Sequence, residues 1–250
     1  MTTFQIVSDL HIEYKNNNIP EPLSLLTPSA DILILAGDIG SLYKFNQLKE
    51  FLKKLSKYFL FIIYVPGNHE YYKIENINPI EMEKLSQKFL LLEIEINNLI
   101  ILNKNYIKIN DICIIGCTLW SKSQLKIPNF IKIFGINNKI YNDMFENNLS
   151  YINKMIKICK YKNLKLIVIT HYCPTYQVLP EKKKRNKYVS FYTSNLDNLL
   201  DKSKIHTWIC GHIHSNFDII TEGGTRIIGN QKGKPNDFIT NYSKTFTITI

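Results

Sequence analysis

Five short apolar runs in this chain each deliver a polar, metal-capable residue at their C-terminal end. Phe4 to Val7 leads into Ser8-Asp9, Ile32 to Ala36 into Gly37-Asp38, and Phe59 to Val65 into Pro66-Gly67-Asn68. Leu166 to Thr170 leads into His171, and Thr207 to Cys210 into Gly211-His212. Apolar runs this short, bounded by turn residues, read as buried strands. Between the second and third runs, Phe45, Leu48, Leu52 and Leu55 recur at helical spacing and predict an amphipathic helix over residues 44–57. Strand, helix, strand in that order is a parallel βαβ unit, so the fold class is α/β. In an open α/β sheet ligands bind outside the C-terminal ends of the strands. The five polar residues are therefore expected on one rim.

The rest of the chain adds elements without adding chemistry. Residues 16–28, rich in Asn and Pro, read as loop. Residues 79–96 read as a helix with Pro79 in its first turn. Leu99 to Leu102, Tyr106 to Ile109 and Ile112 to Ile115 read as a three-strand meander around the Asn110-Asp111 turn. Phe145, Leu149, Ile152, Ile156 and Cys159 follow helical spacing. The segment from Phe217 to Ile250 alternates strand-like runs with Gly-containing turns. No internal repeat or linker is present, which predicts a single domain over 1–250.

Composition bounds the function class. With 45% hydrophobic and 21% charged residues among 250, the chain is globular. The net charge of +10 suits anionic substrates, nucleic acid or anionic membranes. Lys, Asn and Ile are heavily used throughout, however, and compositional bias accounts for that charge slightly better than a binding face does. Five Cys without a CxxC spacing read as reduced thiols of an intracellular protein rather than a zinc site. The N-terminus has no signal-peptide pattern. The longest clean apolar run, Phe59 to Val65, is far short of the ~20 residues of a membrane span. A soluble, cytoplasmic protein without a membrane partner is expected. Glu181 to Lys187, EKKKRNK, reads as an exposed loop, with a solvated surface favoured over attraction of a polyanion.

Histidine use sharpens the picture. Of six His, five (His11, His69, His171, His212 and His214) sit in the strand-end segments. Asp9-Leu10-His11 and His212-Ile213-His214 are i,i+2 pairs, and residues at that spacing in an extended strand end point the same way. Gly37, Gly67 and Gly211 precede Asp38, Asn68 and His212, where glycine permits close backbone approach. Asp, Asn and His together form an oxygen and nitrogen donor set suited to Mn, Fe or Zn.

At this point the sequence resembles the calcineurin-like metallophosphoesterases. Their blocks read here, in order, as Asp9-x-His11, Gly37-Asp38, Gly67-Asn68-His69-Glu70, His171 and Gly211-His212-x-His214. The resemblance implies a sandwich of two mixed β-sheets flanked by helices. It implies two divalent metal ions, with Mn favoured among Mn, Fe and Zn. One would be held by Asp9, His11, Asp38 and His214, the other by Asp38, Asn68, His171 and His212, with Asp38 bridging. Asn68 and His69 would be the catalytic residues, His69 facing the substrate and assisting the leaving group. A metal-bridging hydroxide would attack phosphorus in line, in a hydrolase of phosphate mono- or diesters. A nuclease or cyclic-nucleotide phosphodiesterase is the alternative, with a nucleotide or nucleic acid as partner. A non-catalytic scaffold is disfavoured because every ligand position is kept.

The wording departs from the Ser/Thr protein phosphatase branch. Pro66 stands where that branch carries Arg, and Ile39-Gly40-Ser41 follow Asp38 in place of Asp-Arg-Gly. Val65 to Tyr72, Gly116 to Trp120 and Trp208 to His212 look closer to bacterial, phage and large-virus phosphoesterases. Glu70 is read with equal weight as an orienter of His69 or as a surface or cap residue. Asn142-Asp143 read as a helix N-cap, Tyr172 and Cys173 as pocket lining or packing, and His206 as structural. Arg226 and Asn230 lie in a strand-and-turn region able to return to the site.

Overall fold

The computed structural model describes residues 1–16 and 18–250; Asn17, in the expected 16–28 loop, lies outside them. Strands β1 (Thr3–Val7), β2 (Ile32–Ala36), β3 (Phe61–Val65) and β4 (Leu99–Ile101) run parallel. With antiparallel β11 (Thr247–Thr249) they form a sheet in the order β11-β1-β2-β3-β4. The second sheet has the order β5-β6-β7-β8-β10-β9. Its strands are β5 (Asn105–Ile109), β6 (Ile112–Cys117), β7 (Lys165–Thr170), β8 (Thr207–Ile209), β9 (Phe217–Ile220) and β10 (Arg226–Gly229). The central four, β6, β7, β8 and β10, are parallel, and β5 and β9 are antiparallel edges.

Strand alternation builds two kinds of core. Phe4, Ile6, Ile32, Ile34, Ile63, Ile114, Ile167, Ile169, Ile209 and Ile228 pack together between the sheets. The intervening residues, such as Leu33, Leu35, Val168 and Trp208, face the flanking helices. Those helices are α2 (Phe45–Leu55), α3 (Met82–Glu95) and α4 (Asn138–Tyr161). This two-sided burial is why β2 is apolar at every position, since a strand covered on both faces has no polar side. The architecture is the expected sandwich of two mixed sheets with flanking helices.

Several local expectations are corrected. The three runs after residue 99 are not a meander. β4 extends the first sheet beside β3, and only β5 and β6 pair as a hairpin, in the other sheet. The crossing occurs at Asn103-Lys104, where Lys104 takes φ 63° and the Asn105 side chain accepts from Asn103 N at 2.7 Å. Helix α3 starts at Met82, beyond Pro79. The backbone of Ile80 is engaged by the Tyr43 hydroxyl through both N–H (3.0 Å) and C=O (3.1 Å) and so cannot join the helix. The 16–28 segment contains one helical turn, α1 (Pro22–Leu25). Asn142 and Asp143 lie inside α4, whose cap is Asn137, accepting from Ile140 N at 2.9 Å. The basic segment is not wholly loop, since Glu181–Lys184 form a short helix, α5.

All the parallel strands of the first sheet end at one edge, and the second sheet ends at the same place. The join is direct. Ser8, just past β1, forms a parallel bridge with Gln231, just past β10, donating its N–H to Asn230 O at 3.0 Å and accepting from Lys232 N at 3.1 Å. Asn230 is buried there, donating from Nδ2 to Ile6 O at 2.8 Å. All five cysteines are free and buried. Among the described residues no helix is long and apolar enough to cross a membrane.

Candidate functional site

At the shared rim the structure brings Asp9, His11, Asp38, Asn68, His171, His212 and His214 together, with His69 beside them. They converge by a route different from the expected extended strand ends. Asp9, His11, Asp38, His212 and His214 all take left-handed backbone, with φ between 46° and 72°. Such conformations cost roughly 1–3 kcal/mol each for non-glycine residues and persist only where the surroundings enforce them. Here the enforcement is visible. Asp9 N donates to Gly37 O at 2.9 Å, His11 N to Asp38 O at 3.0 Å, and His212 N to the Asp9 carboxylate at 3.1 and 3.2 Å. Two glycines make room. A Cβ on Gly67 would collide with the Asp38 carboxylate, and one on Gly211 would collide with the Asp9 carboxylate and Ser8 Oγ.

Among the described residues, three groups of donor atoms are each close enough to share one ion; one is His11, Glu13 and His69, and the other two hold the expected ligands. Of these two, the first is Asp9, His11, Asp38 and His214; the second is Asp38, His171 and His212. His214 Nε2 lies 3.1 Å from both Asp9 Oδ1 and His11 Nε2. His171 Nε2 lies 3.2 Å from Asp38 Oδ2 and 3.3 Å from His212 Nδ1. Asp38 is common to both groups. Asn68 Oδ1 is buried without a hydrogen-bond partner, although a buried carbonyl oxygen is ordinarily satisfied.

Every histidine of the two groups is anchored through its other ring nitrogen. His11 Nδ1 meets Glu13 Oε1 at 3.0 Å, and His214 Nδ1 meets Asp237 Oδ2 at 2.5 Å. His171 Nδ1 donates to Ala36 O at 2.9 Å, and His212 Nε2 to Phe191 O at 3.0 Å. Assigning the proton to each anchored nitrogen leaves one lone pair per ring, all aimed inward, which is the habit of metal-binding histidines. The unpartnered Asn68 oxygen and four such lone pairs around buried carboxylates fit a pair of cations.

The electrostatics point the same way. Burial pushes the Asp9 and Asp38 carboxyls up, but His214 beside Asp9 and His171 beside Asp38 hold both well below the usual range. Burial pulls His171 down, and Asp38 outweighs it, lifting the imidazole to about 10. His212, buried next to that charge, is held well below its normal value. Two ionised, fully buried carboxylates demand positive charge at this spot, either protons or metal.

His69 donates its backbone N–H to Asp38 Oδ1 at 2.8 Å. Its Nδ1 lies 3.0 Å from Glu13 Oε1, and its ring lies over Tyr72 with centroids 4.5 Å apart. Glu13 thus touches both His11 and His69. The expectation for Glu70 fails in both its forms. Glu70 is fully buried and does not reach the His69 ring. Its carboxylate accepts from Ile39 N (2.8 Å), Gly67 N (2.8 Å), Asp38 N (3.2 Å) and Tyr64 OH (2.6 Å), clamping the two turns that carry Asp38 and Asn68. Burial beside Asp38 pushes its pKa up to about 8, while four donors around it favour the charged form.

The site opens into a cleft of about 650 Å³, lined by Glu13, Tyr14, Asp38, Asn68, His69, Tyr72, Phe130, Tyr172, Lys183, Phe191, Tyr192, His212, His214 and Lys234 among others. Tyr172 lines it, stacked on His212 at 3.9 Å, while buried Cys173 packs behind. Arg226, paired with Asp218 at 2.7 Å, Asn230 and His206 are not among the lining residues. Sequence reasoning missed Glu13 and Asp237, and weighed Lys183 only within a basic segment for which it favoured a solvated surface over attraction of a polyanion. Glu13 extends the Asp9, His11 spacing by two more residues and could have been flagged. Asp237, in a turn distant in sequence, gave no signal.

The sequence pattern of the calcineurin-like phosphoesterases matches residues 2–216. An uncharacterized protein of Acanthamoeba polyphaga mimivirus is 28% identical over 257 residues, spanning 89% of this chain and 88% of its own. Two solved structures share the fold. Phosphopantetheinyl hydrolase from Mycobacterium tuberculosis is 15% identical, with a TM-score of 0.69 over 94% of this chain and 90% of its own. A dimetal phosphatase from Danio rerio is 11% identical, with a TM-score of 0.55 over 91% and 86%.

Proposed function

This chain belongs to the calcineurin-like phosphoesterases, hydrolases acting on phosphate ester bonds, and we propose that it works with two divalent ions at the rim described above. Asp9, His11, Asp38 and His214 hold one ion; Asp38, Asn68, His171 and His212 hold the other. The donors, oxygen and nitrogen without thiolate, suit Mn, Fe or Zn, with Mn taken first. The observation that carries this reading is Asp38, a single buried carboxylate belonging to both donor groups. When bound, such a pair supplies a hydroxide nucleophile near neutral pH and charge to neutralise the phosphoryl oxygens.

The remaining work falls to the chain. Glu13 holds His69 through Nδ1, leaving Nε2 free to protonate the departing ester oxygen. A general acid of this kind contributes ~10²–10⁴-fold. Tyr72, against the ring's face, limits its rotation. Glu70 keeps the Asp38 and Asn68 turns at fixed separation. Substrates are phosphate mono- or diesters.

The test is hydrolysis of nitrophenyl phosphate, bis-nitrophenyl phosphate, a cyclic nucleotide and a short oligonucleotide by Mn-reconstituted protein, with metal analysis of the same sample. Turnover of at least one ester with close to two ions per chain is expected. Saturation at one ion, or no turnover of any ester by fully loaded protein, overturns the proposal.

A further inference from the structure

The cations inside the cleft are unusual for a phosphate site. No arginine lines it among the described residues; the lining cations outside the metal cluster are Lys44, Lys73, Lys132, Lys183 and Lys234. Three of these have other work or stand apart. Lys44 Nζ donates to Glu13 O at 2.8 Å and Asn16 O at 2.5 Å. Lys132 Nζ lies 3.8 Å from Glu75, and Lys73 is exposed at the mouth. Lys183 and Lys234 remain. They come from separate segments, α5 and the loop after β10, yet lie close enough that the Lys234 charge acts on Lys183.

Lys183 is half-buried, although its segment reads as solvated surface in the sequence. Its Nζ donates to Ile213 O, the residue between His212 and His214, and sits 5.1 Å from the centre of the Tyr192 ring. An ammonium has three donors, so two remain for a ligand. Lys234 Nζ has no hydrogen-bond partner among the described residues, and neither lysine has a carboxylate within salt-bridge distance. Asp9 and Asp237 both act on the Lys183 charge, and Asp237 spends Oδ2 on His214 Nδ1 at 2.5 Å and on the Lys234 backbone N–H at 2.7 Å. Two ammonium groups facing one cleft, that of Lys183 on a half-buried side chain, repel each other, and an anion between them relieves that repulsion. The cleft also offers half-exposed aromatic side chains, Tyr14 at 49% beside His69 and Phe130 at 47% beside Phe191.

We infer that Lys183 and Lys234 form a second anion subsite next to the Asp9–His214 half of the cluster, and that the substrate is a small phosphate ester carrying a second phosphate and an aromatic base. This rests on the phosphoesterase reading. One phosphate goes to the metal rim and the other to the lysines. The base lies against one of these aromatic side chains, where stacking is sequence-tolerant. The second phosphate can be a diphosphate link or a separate ester on the sugar.

The experiment compares wild type, Lys183→Met, Lys234→Met and the double variant, all Mn-loaded. Substrates are nitrophenyl phosphate, adenosine 5′-monophosphate, adenosine diphosphate, adenosine 3′,5′-bisphosphate and a short oligonucleotide. Wild type should prefer one of the two-phosphate nucleotides to the monophosphate, and which one identifies the source of the second phosphate. The double variant should lose about 10–100-fold in kcat/KM on that substrate, mainly through KM, as expected for charge-assisted hydrogen bonds. The fall on nitrophenyl phosphate should be much smaller. Calorimetry with the α,β-methylene analogue of adenosine diphosphate reads the subsite without turnover, so it decides the inference even if no ester is hydrolysed. Equal binding by wild type and double variant overturns it. So does a preference for the oligonucleotide over every small nucleotide, which assigns the lysines to nucleic acid. Loss of metal from Lys183→Met, with Lys183→Arg failing to restore it, makes Lys183 a brace of the His212–His214 turn and also overturns the subsite.

Discussion

The two halves of the cluster share Asp38 but are backed by different groups. On the Asp9 side, His11 and His214 rest on carboxylates, Glu13 and Asp237. On the other side, His171 and His212 rest on backbone carbonyls, those of Ala36 and Phe191. The first half gathers four acids (Asp9, Asp38, Glu13 and Asp237) around one position. The second counts only Asp38 among its ligands and the groups behind its histidines, with Glu70 clamping the turns that carry Asp38 and Asn68. A cation binds more tightly where more negative charge surrounds it, and a carboxylate behind a histidine strengthens that ligand. Both halves must also displace a proton: Asp38 outweighs burial to hold His171 protonated up to about 10, and Asp237 and Asp9 outweigh burial to raise His214. The halves are thus built for unequal affinity, and the leaving-group acid His69, on Glu13, belongs with the tighter one.

The largest expected effect comes from removing what the halves share. Asp38→Asn takes the only carboxylate from one group and one of two from the other, and should lower turnover by more than ~10³-fold, equivalent to several kcal/mol of lost charge stabilisation. Metal analysis should show both ions weakened; loss of one alone would mean that Asp38 does not bridge. His69→Ala, next in size, should cost ~10²–10³-fold on poor leaving groups and far less on nitrophenol, with both ions retained. An equal cost on both kinds of leaving group removes His69 from that role. Glu13→Gln should cost ~10–100-fold, in the tighter ion's affinity and in turnover together, because one carboxylate serves His11 and His69. A change in turnover with metal affinity intact would detach Glu13 from His11. Smallest is Tyr64→Phe, which takes one donor from the Glu70 clamp. About 1 kcal/mol of stability, read from thermal or urea unfolding, should go with it, and both halves should keep their ions.

Much of this was legible in the sequence, for a physical reason. A strand buried on both faces is largely apolar, so β1, β2, β3, β7 and β8 stand out, and the polar residue ending each is conspicuous. The conformation of the rim was not legible. Left-handed backbone at Asp9, His11 and Asp38 is enforced by hydrogen bonds to segments tens to hundreds of residues away, and no local spacing reports that. Nor could the allocation of β4 and β5 to different sheets be read, because short strand-like runs look alike whichever partner they take. The Glu70 role was missed because two of its four donors, the backbone N–H groups of Asp38 and Ile39, belong to a turn 32 and 31 residues away. The basic stretch misled for a related reason. EKKKRNK is polar at every position, and only tertiary packing turns Lys183, alone among its neighbours, into the cleft.

The unequal halves are tested most directly by titrating Mn²⁺ into metal-free protein by calorimetry, for wild type and Asp237→Asn, at pH 6 and pH 8. Wild type should bind two ions in two resolved events, both strengthening as pH rises because His171 and His214 must give up their protons. Asp237→Asn should weaken the tighter event by ~10–100-fold and leave the weaker one in place. A single ion per chain, or two events weakened equally by Asp237→Asn, would contradict the account.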